Sequence, residues 1–359
     1  MESPAGVLMP PYIFWYYTVA VLAVASMPMF LYRERRELVA LRTYVVILVG
    51  LAYLVAMARQ DGVDHSNYVR AYQTNPEEIF DRGYQLLMRI FKSAGLPFES
   101  LILLSALTTL VALWRAARFF GVSFGLLLLI YFLHLAVVRD FAQFRSGLAL
   151  ATVLIGITQA GSWQRPLYYL VGASLHFTSV PFAVMYEYCA LVARHPDLRL
   201  RLAAVLVAAL AWWIVGNLLP ELAFLDPRVA LYLRWQTANY GLPVEQYFVL
   251  FAHLTILMLA LAMHRWWRDD VTVRTLVLLQ VIGVTVFVAF QETAVFAYRL
   301  SNGILSLYPI LLLLLSSRLR LSLYGVAIGR VAAAALLLVL GLVLISRSGN
   351  AEVLWSIGF

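Results

Sequence analysis

"PLYYLVGASLHFTSVPFAVMYEYCALVAR", residues 166–194, decides how the chain is threaded. It contains two apolar runs, 166–178 and 180–193, and each is shorter than the ~20 residues that cross a hydrocarbon core. As one kinked span it takes the chain across a bilayer once. As two short helices meeting below the surface it returns the chain to the side it came from. The charges favour the second reading, because lysine and arginine accumulate on cytoplasmic loops. With "RERRELVALR" (33–42) inside and twelve crossings, the inner loops carry Arg115, Arg118, Arg165, Arg194, Arg199, Arg201, Arg265, Arg268, Arg274, Arg318, Arg320 and Arg330. Sixteen basic residues then face six carboxylates inside, and eleven face thirteen outside, which together return the net charge of +8. A single crossing at 166–193 would lose that excess for everything downstream.

Composition sets the class. Hydrophobic residues make up 63% of the chain and charged ones 13%, with a mean hydropathy of +0.83, whereas soluble domains are nearer half apolar and a quarter charged. Apolar segments fall at 12–32, 43–58, 97–114, 122–138, 146–160, 166–178, 180–193, 202–219, 247–264, 273–290, 303–316 and 327–346. They do not alternate as barrel strands would. The expectation is an all-α polytopic membrane protein of about twelve transmembrane helices. It is read as a single transmembrane domain over 1–359, with outer-face loops at 59–96 and 220–246 and both termini outside. The start, "MESPAGVLMPPYIFWYY", has no basic n-region or small-residue cleavage site and reads as retained. Cys189 is the one cysteine, so no intrachain disulfide forms. The basic balance belongs to membrane topology, and no nucleic acid is expected.

In this topology costly polar groups gather on the outer side. The loop "RQDGVDHSNYVRAYQTNPEEIFDRGYQLL" (59–87) is the most polar stretch. Asn75 followed by Pro76 and acids reads as a helix start. Asp64 reads as the cap of a short helix, with Tyr68 one turn on, and as a candidate for chemistry. Glu77, Glu78 and Asp81 read as caps and solvated surface. In "VVRDFAQFRSGLALA" (137–151) Arg139 and Arg145 lie six residues apart. On one helix they would point ~240° apart, so they converge only if the chain turns between them. Ionisable groups at membrane depth face the protein interior or a wet cavity and are candidates by default, although arginines also snorkel to headgroups. Asp140 and Gln143 accompany them. His176 falls near the tip of the short pair, among small residues and hydroxyls. "FQETAVFAYRLSNG" (290–303) puts Glu292 and Arg299 at an outer helix end, and the loop 220–246 offers Trp235 among charges. Such aromatics suit sugar stacking as well as an interfacial belt.

No phosphate loop, G-x-G-x-x-G, H-E-x-x-H, paired cysteines or outer D-x-D occurs. Asp269 and Asp270 fall on an inner loop. No cofactor and no protein-held metal is expected, and with no ATP site the substrate must drive any chemistry.

"GVDHSNY" (62–68), "RGYQLLMRIF" (82–91), "RDFAQFRSGLALA" (139–151), "ASLHFTSVPF" (173–182) and "YRLSNGI" (298–304) together resemble the EpsG/Wzy-type polysaccharide polymerases. A G-x-D-x-x-x-Y loop, an R-Q/R-x-G-x-A segment, an F-H or H-F-S/T segment and a late arginine recur there in this order. Here histidine follows the aspartate, and "LHF" replaces "FH". The resemblance implies a GT-C-like glycosyltransferase architecture in the bacterial inner membrane, with its site facing the periplasm or cell exterior. It implies that a glycan on polyprenyl diphosphate, the undecaprenyl type included, is transferred to a lipid-linked repeat unit in O-antigen, capsule or exopolysaccharide assembly. A chain-length regulator and a flippase would be partners, besides the lipid-linked substrates and the bilayer. The departing diphosphate needs fixed cations, and arginine grips phosphate with two prongs. Arg139, Arg145 and Arg299 are the candidates. The attacking hydroxyl needs a base, for which His176 and Asp64 are candidates, His176 preferred. Tyr68, Gln143, Glu292 and Trp235 are the candidate sugar contacts. An O-antigen ligase-like or other lipid-linked glycosyltransferase, or a transporter or flippase of lipid-linked oligosaccharide, would want the same cations. Ligases usually carry a larger late outer loop, and transporters often show repeats, neither of which is seen here.

Overall fold

A computed structural model describes residues 37–58, 63–74, 81–132, 135, 143–159, 161–222, 244–290, 294–318, 322–323 and 326–327. Among these the regular structure is helical, apart from a two-residue antiparallel pairing of Ser322–Leu323 with Val326–Ala327. The apolar run at 43–58 falls in α1 (Glu37–Ala58), and the polar loop that follows folds into two short helices, α2 (Val63–Thr74) and α3 (Arg82–Ser93). Next come α4 (Glu99–Phe120) and α5 (Phe124–Ile130). Gly121 ends α4 in the left-handed region, φ 68°, which glycine adopts without a Cβ penalty. The Ser123 side chain then caps α5 by accepting from Leu126 N–H.

The stretch 166–194 is two helices. α6 (Phe144–Ile157) leads into α7 (Gln164–Leu175), and α8 (Ser179–Arg194) follows after the turn His176–Thr178. Tyr169, seven residues before the turn, donates to Glu187, nine after it, so α7 and α8 fold back as a hairpin. α6 and α7 pack antiparallel through small residues. A Cβ on Gly156 would fall 2.9 Å from Tyr168, and one on Gly172 would fall 3.0 Å from the Ala149 carbonyl. At ~1.5 Å per residue, α7 is about 18 Å long, short of the ~30 Å hydrocarbon core.

The remaining helices are α9 (Leu198–Leu222), α10 (Val244–Ala262), the one-turn α11 (His264–Trp267), α12 (Val271–Ala289), α13 (Ala294–Ile304) and α14 (Tyr308–Arg318). A 3₁₀ turn, Leu305–Leu307, joins the last two. Asp270 caps α12 by accepting from Val273 N–H at 3.1 Å. Among the described residues three helices are long and apolar enough to cross a membrane: Glu99–Phe120, Val271–Ala289 and Leu300–Ser317. The last has 78% of its apolar window buried inside the protein, against 50% for the first, so it runs nearer the centre of the bundle. The apolar segments 12–32 and 327–346 lie outside the described residues. Leu206, Leu210 and Trp213 on α9, with Phe251 and Met258 on α10, stand exposed. A soluble monomer seldom leaves so much contiguous apolar surface uncovered, and lipid is its natural solvent.

Candidate functional site

Three side chains from distant parts of the sequence meet at one end of this bundle. Asp81 occupies the N-cap position of α3, with φ −63° and ψ 144°, yet its side chain makes no cap hydrogen bond. The carboxylate turns inward instead. Its Oδ2 lies 3.4 Å from Nη1 of Arg145 and 3.2 Å from Nδ1 of His176. The three side chains are only 11–13% exposed, so the charges are held away from bulk water, where pairing counts for more. The reading of Asp81 as a solvated cap is thereby corrected. Cap preference describes the local chain, whereas Arg145, which pairs with this carboxylate, comes from elsewhere in the fold.

Arg145 enters from the first turn of α6. Gln143 is the N-cap there and makes no side-chain cap bond. A cation at a helix N-terminus opposes the helix dipole, so its position costs helix stability and is offset by Asp81 and by the Tyr84 ring, 5.8 Å from the guanidinium carbon. Tyr84 is fully buried. Burial, then Tyr68, hold its phenol well above the usual range despite the pull of Arg145, so it stays neutral. His176 is the C-cap residue of α7. Its N–H donates to the Gly172 carbonyl at 2.9 Å, and its own carbonyl accepts from Ser179 N–H at 3.0 Å. The ring is thus presented at the tip of the hairpin by a backbone bonded on both sides. A carboxylate only accepts hydrogen bonds. The imidazole therefore donates Nδ1–H to Asp81, and in its neutral form keeps its lone pair on Nε2.

An aromatic floor supports the trio. Tyr68 meets Phe144 edge to face with ring centroids 4.5 Å apart, and Phe98 meets Phe144 at 5.7 Å. The Phe144 carbonyl accepts from Ser105 Oγ at 3.1 Å, and Tyr72 donates to the Leu96 carbonyl at 2.6 Å. Such ring pairs add ~0.5–1.5 kcal/mol beyond burial, and they lock α2 and α3 onto the start of α6. α3 also sits hard against α7: a Cβ on Gly83 would fall 2.3 Å from Ser174 Oγ and 2.7 Å from its backbone carbon. One carboxylate serves a guanidinium and an imidazole, so with the imidazole neutral the trio carries no net charge, and a proton taken up on Nε2 would leave it positive.

The other expected site residues are distributed as follows. Tyr68 is buried at 6% exposure, its ring engaged by Phe144 and Tyr84. Gln143 is half-buried beside Arg145. Asp64 lies inside the first turn of α2, which begins at Val63, and not before it as a cap. Arg299 falls on α13; the side chains of both lie outside the described residues, as do Arg139, Glu292 and Trp235. Among the described residues no group of three or more His, Cys, Asp or Glu could hold a metal ion. The residue missed from sequence is Asp81. The one signal for it was its place in "FDRGYQLLMRIF", beside a glycine that demands close helix packing.

A helical bundle with exposed apolar faces and a buried Asp–Arg–His cluster at one end defines a polytopic membrane protein. The model of the EpsG family matches residues 13–352, nearly the whole chain. The chain belongs to the EpsG family, whose general activity is polysaccharide polymerisation. No curated protein and no solved structure matches it.

Proposed function

We propose that the protein is a membrane glycosyltransferase that moves a growing glycan from polyprenyl diphosphate onto a lipid-linked repeat unit. In this reading a single transmembrane domain of about twelve helices, GT-C-like in plan, works at the outer face of the bacterial inner membrane. The observation that supports it is the Asp81 carboxylate shared between Arg145 and His176.

A hydroxyl of the acceptor sugar attacks the anomeric carbon of the donor. Its proton passes to Nε2 of His176, the new C–O bond forms, and the bond from the anomeric carbon to the diphosphate oxygen breaks with its electron pair. Arg145 meets the charge that develops on the leaving group, with Arg139 and Arg299 as further cations. Preorganised charges of this kind do most when water is excluded. Asp81 holds Nδ1–H, fixes the tautomer and steadies the imidazolium once it forms, as an orienting carboxylate does for a histidine base. His176 is preferred to Asp64 as the base on this ground.

Purified protein given lipid-diphosphate-linked repeat units in detergent should build a ladder of longer glycans without ATP and without added divalent metal. No ladder, with the same substrate instead moved between leaflets of a vesicle, would make the protein a transporter.

A further inference from the structure

α3 carries a second surface that the site does not use. Its sequence, RGYQLLMRIFKS, has three cations and no acid. Gly95 at φ 69° closes it, with Leu96 N–H on the Phe91 carbonyl and Gly95 N–H on that of Lys92, each at 3.0 Å. That pair of bonds is a Schellman stop, so α3 is a discrete helix of 12 residues. At ~1.5 Å per residue it is about 18 Å long, too short to span a bilayer.

Around its circumference, at ~100° per residue, α3 divides into three arcs. Tyr84 and Met88 are buried against the bundle, with Leu87 and Phe91 half-buried beside them. Leu86 and Ile90 form a flank that is 59% and 52% exposed, continued past the helix end by Leu96. Arg82, Arg89 and Lys92 form the remaining arc, all exposed, with Lys92 also donating to the Gln73 carbonyl at 2.9 Å. Exposed leucine and isoleucine gain free energy on leaving water, and a row of cations beside them needs anions. A bilayer surface rich in anionic phospholipid supplies both at the right relative depth.

We propose that α3 lies in the plane of the membrane interface, with Leu86, Ile90 and Leu96 at the acyl boundary. Arg82, Arg89 and Lys92 sit on the phosphates of anionic phospholipid, and this docking seats Asp81 against Arg145 and His176. The second half rests on the polymerase reading; the first does not. The linkage is mechanical. Asp81 directly precedes the helix, and Gly83 is pressed on Ser174, two residues before His176, so any shift of α3 moves the carboxylate relative to the imidazole.

The test places spin labels one at a time along α3 in full-length protein reconstituted into vesicles. One set is phosphatidylcholine alone, the other phosphatidylcholine mixed with phosphatidylglycerol. Labels at Leu86 and Ile90 should collide with oxygen, and labels at Gln85 and Ser93 with a water-soluble nickel chelate. Each cation contributes about a fivefold preference for an anionic over a neutral surface. Phosphatidylglycerol should therefore deepen the helix and raise glycan synthesis several-fold. The triple variant Arg82→Gln, Arg89→Gln, Lys92→Gln should lose both responses yet match the unsubstituted protein in phosphatidylcholine. A triple variant impaired equally in phosphatidylcholine would show that the arc holds the substrate's own diphosphate, which overturns the proposal. Nickel-accessible labels at Leu86 and Ile90 would overturn it outright. Depth that responds to phosphatidylglycerol in a protein making no glycan would leave the docking standing and remove the polymerase reading.

Discussion

The two ends of the α7–α8 hairpin each carry an arginine and a carboxylate, and they are built differently. At the base, Arg165 pairs with Glu187, donates Nε–H to the Tyr169 hydroxyl at 2.9 Å, and lies 5.7 Å from the Tyr186 ring. Tyr169 also donates to Glu187, which closes a triangle. All its members come from residues 165–187, and the Glu187 side chain is 43% exposed. At the tip, Asp81 is shared with residues 64 and 95 positions away, and all three side chains are nearly buried. The base network is local, closed and partly wet, as suits a clasp. The tip network is assembled from three segments and contains a histidine, an arrangement that helix stability alone does not require.

That contrast is open to attack by mutation. The largest effect is expected from His176→Ala, because a positioned general base contributes ~10²–10⁴-fold. Glycan synthesis by variant protein that inserts and accumulates normally should fall by that order, with turnover falling more than apparent affinity. Asp81→Asn keeps the shape but removes the charge. Hydrogen bonds to charged groups contribute ~1.5–3 kcal/mol, so turnover should drop on the order of 10- to 100-fold. Asp81→Asn with unchanged turnover would return Asp81 to a purely local part at the start of α3. Gly83→Ala pushes a methyl into the Ser174 backbone. Overpacking costs ~1–3 kcal/mol, and both thermal stability and synthesis should fall, whereas Gly50→Ala, which meets nothing within 4 Å, should change neither. The smallest effect belongs to the clasp. Glu187→Gln breaks a partly exposed pair, which contributes ~1 kcal/mol or less. It should lower the unfolding temperature slightly and leave turnover alone; loss of turnover there would erase the distinction between the two ends.

Much of this framework is legible in the sequence because lipid leaves the backbone few options. Within the described residues the apolar runs become helices, and arginine placement chooses two helices over one at 166–194. His176 and Arg145 stand out because ionisable side chains are rare among such runs. Asp81 does not stand out, since an aspartate at a helix start has a sufficient local explanation. Nor does the sequence show where the ring of Tyr68, a candidate sugar contact in a polar loop, is held: Phe144, 76 residues on, packs against it. Both cases turn on contacts between distant segments, which no local pattern encodes.

The central claim is that the cation at the tip serves a departing diphosphate. The most direct measurement is single-turnover glycan transfer by Arg145→Ala and Arg145→Lys protein, quantified at equal membrane abundance. Removing one preorganised donor costs ~3 kcal/mol, so Arg145→Ala should be slower by about a hundredfold. Lysine keeps the charge without the two-pronged contact and should recover only part of the rate. Unchanged transfer by Arg145→Ala, alone and combined with Arg139→Ala, would mean that Arg145 only holds Asp81 in place and that the chemistry lies elsewhere.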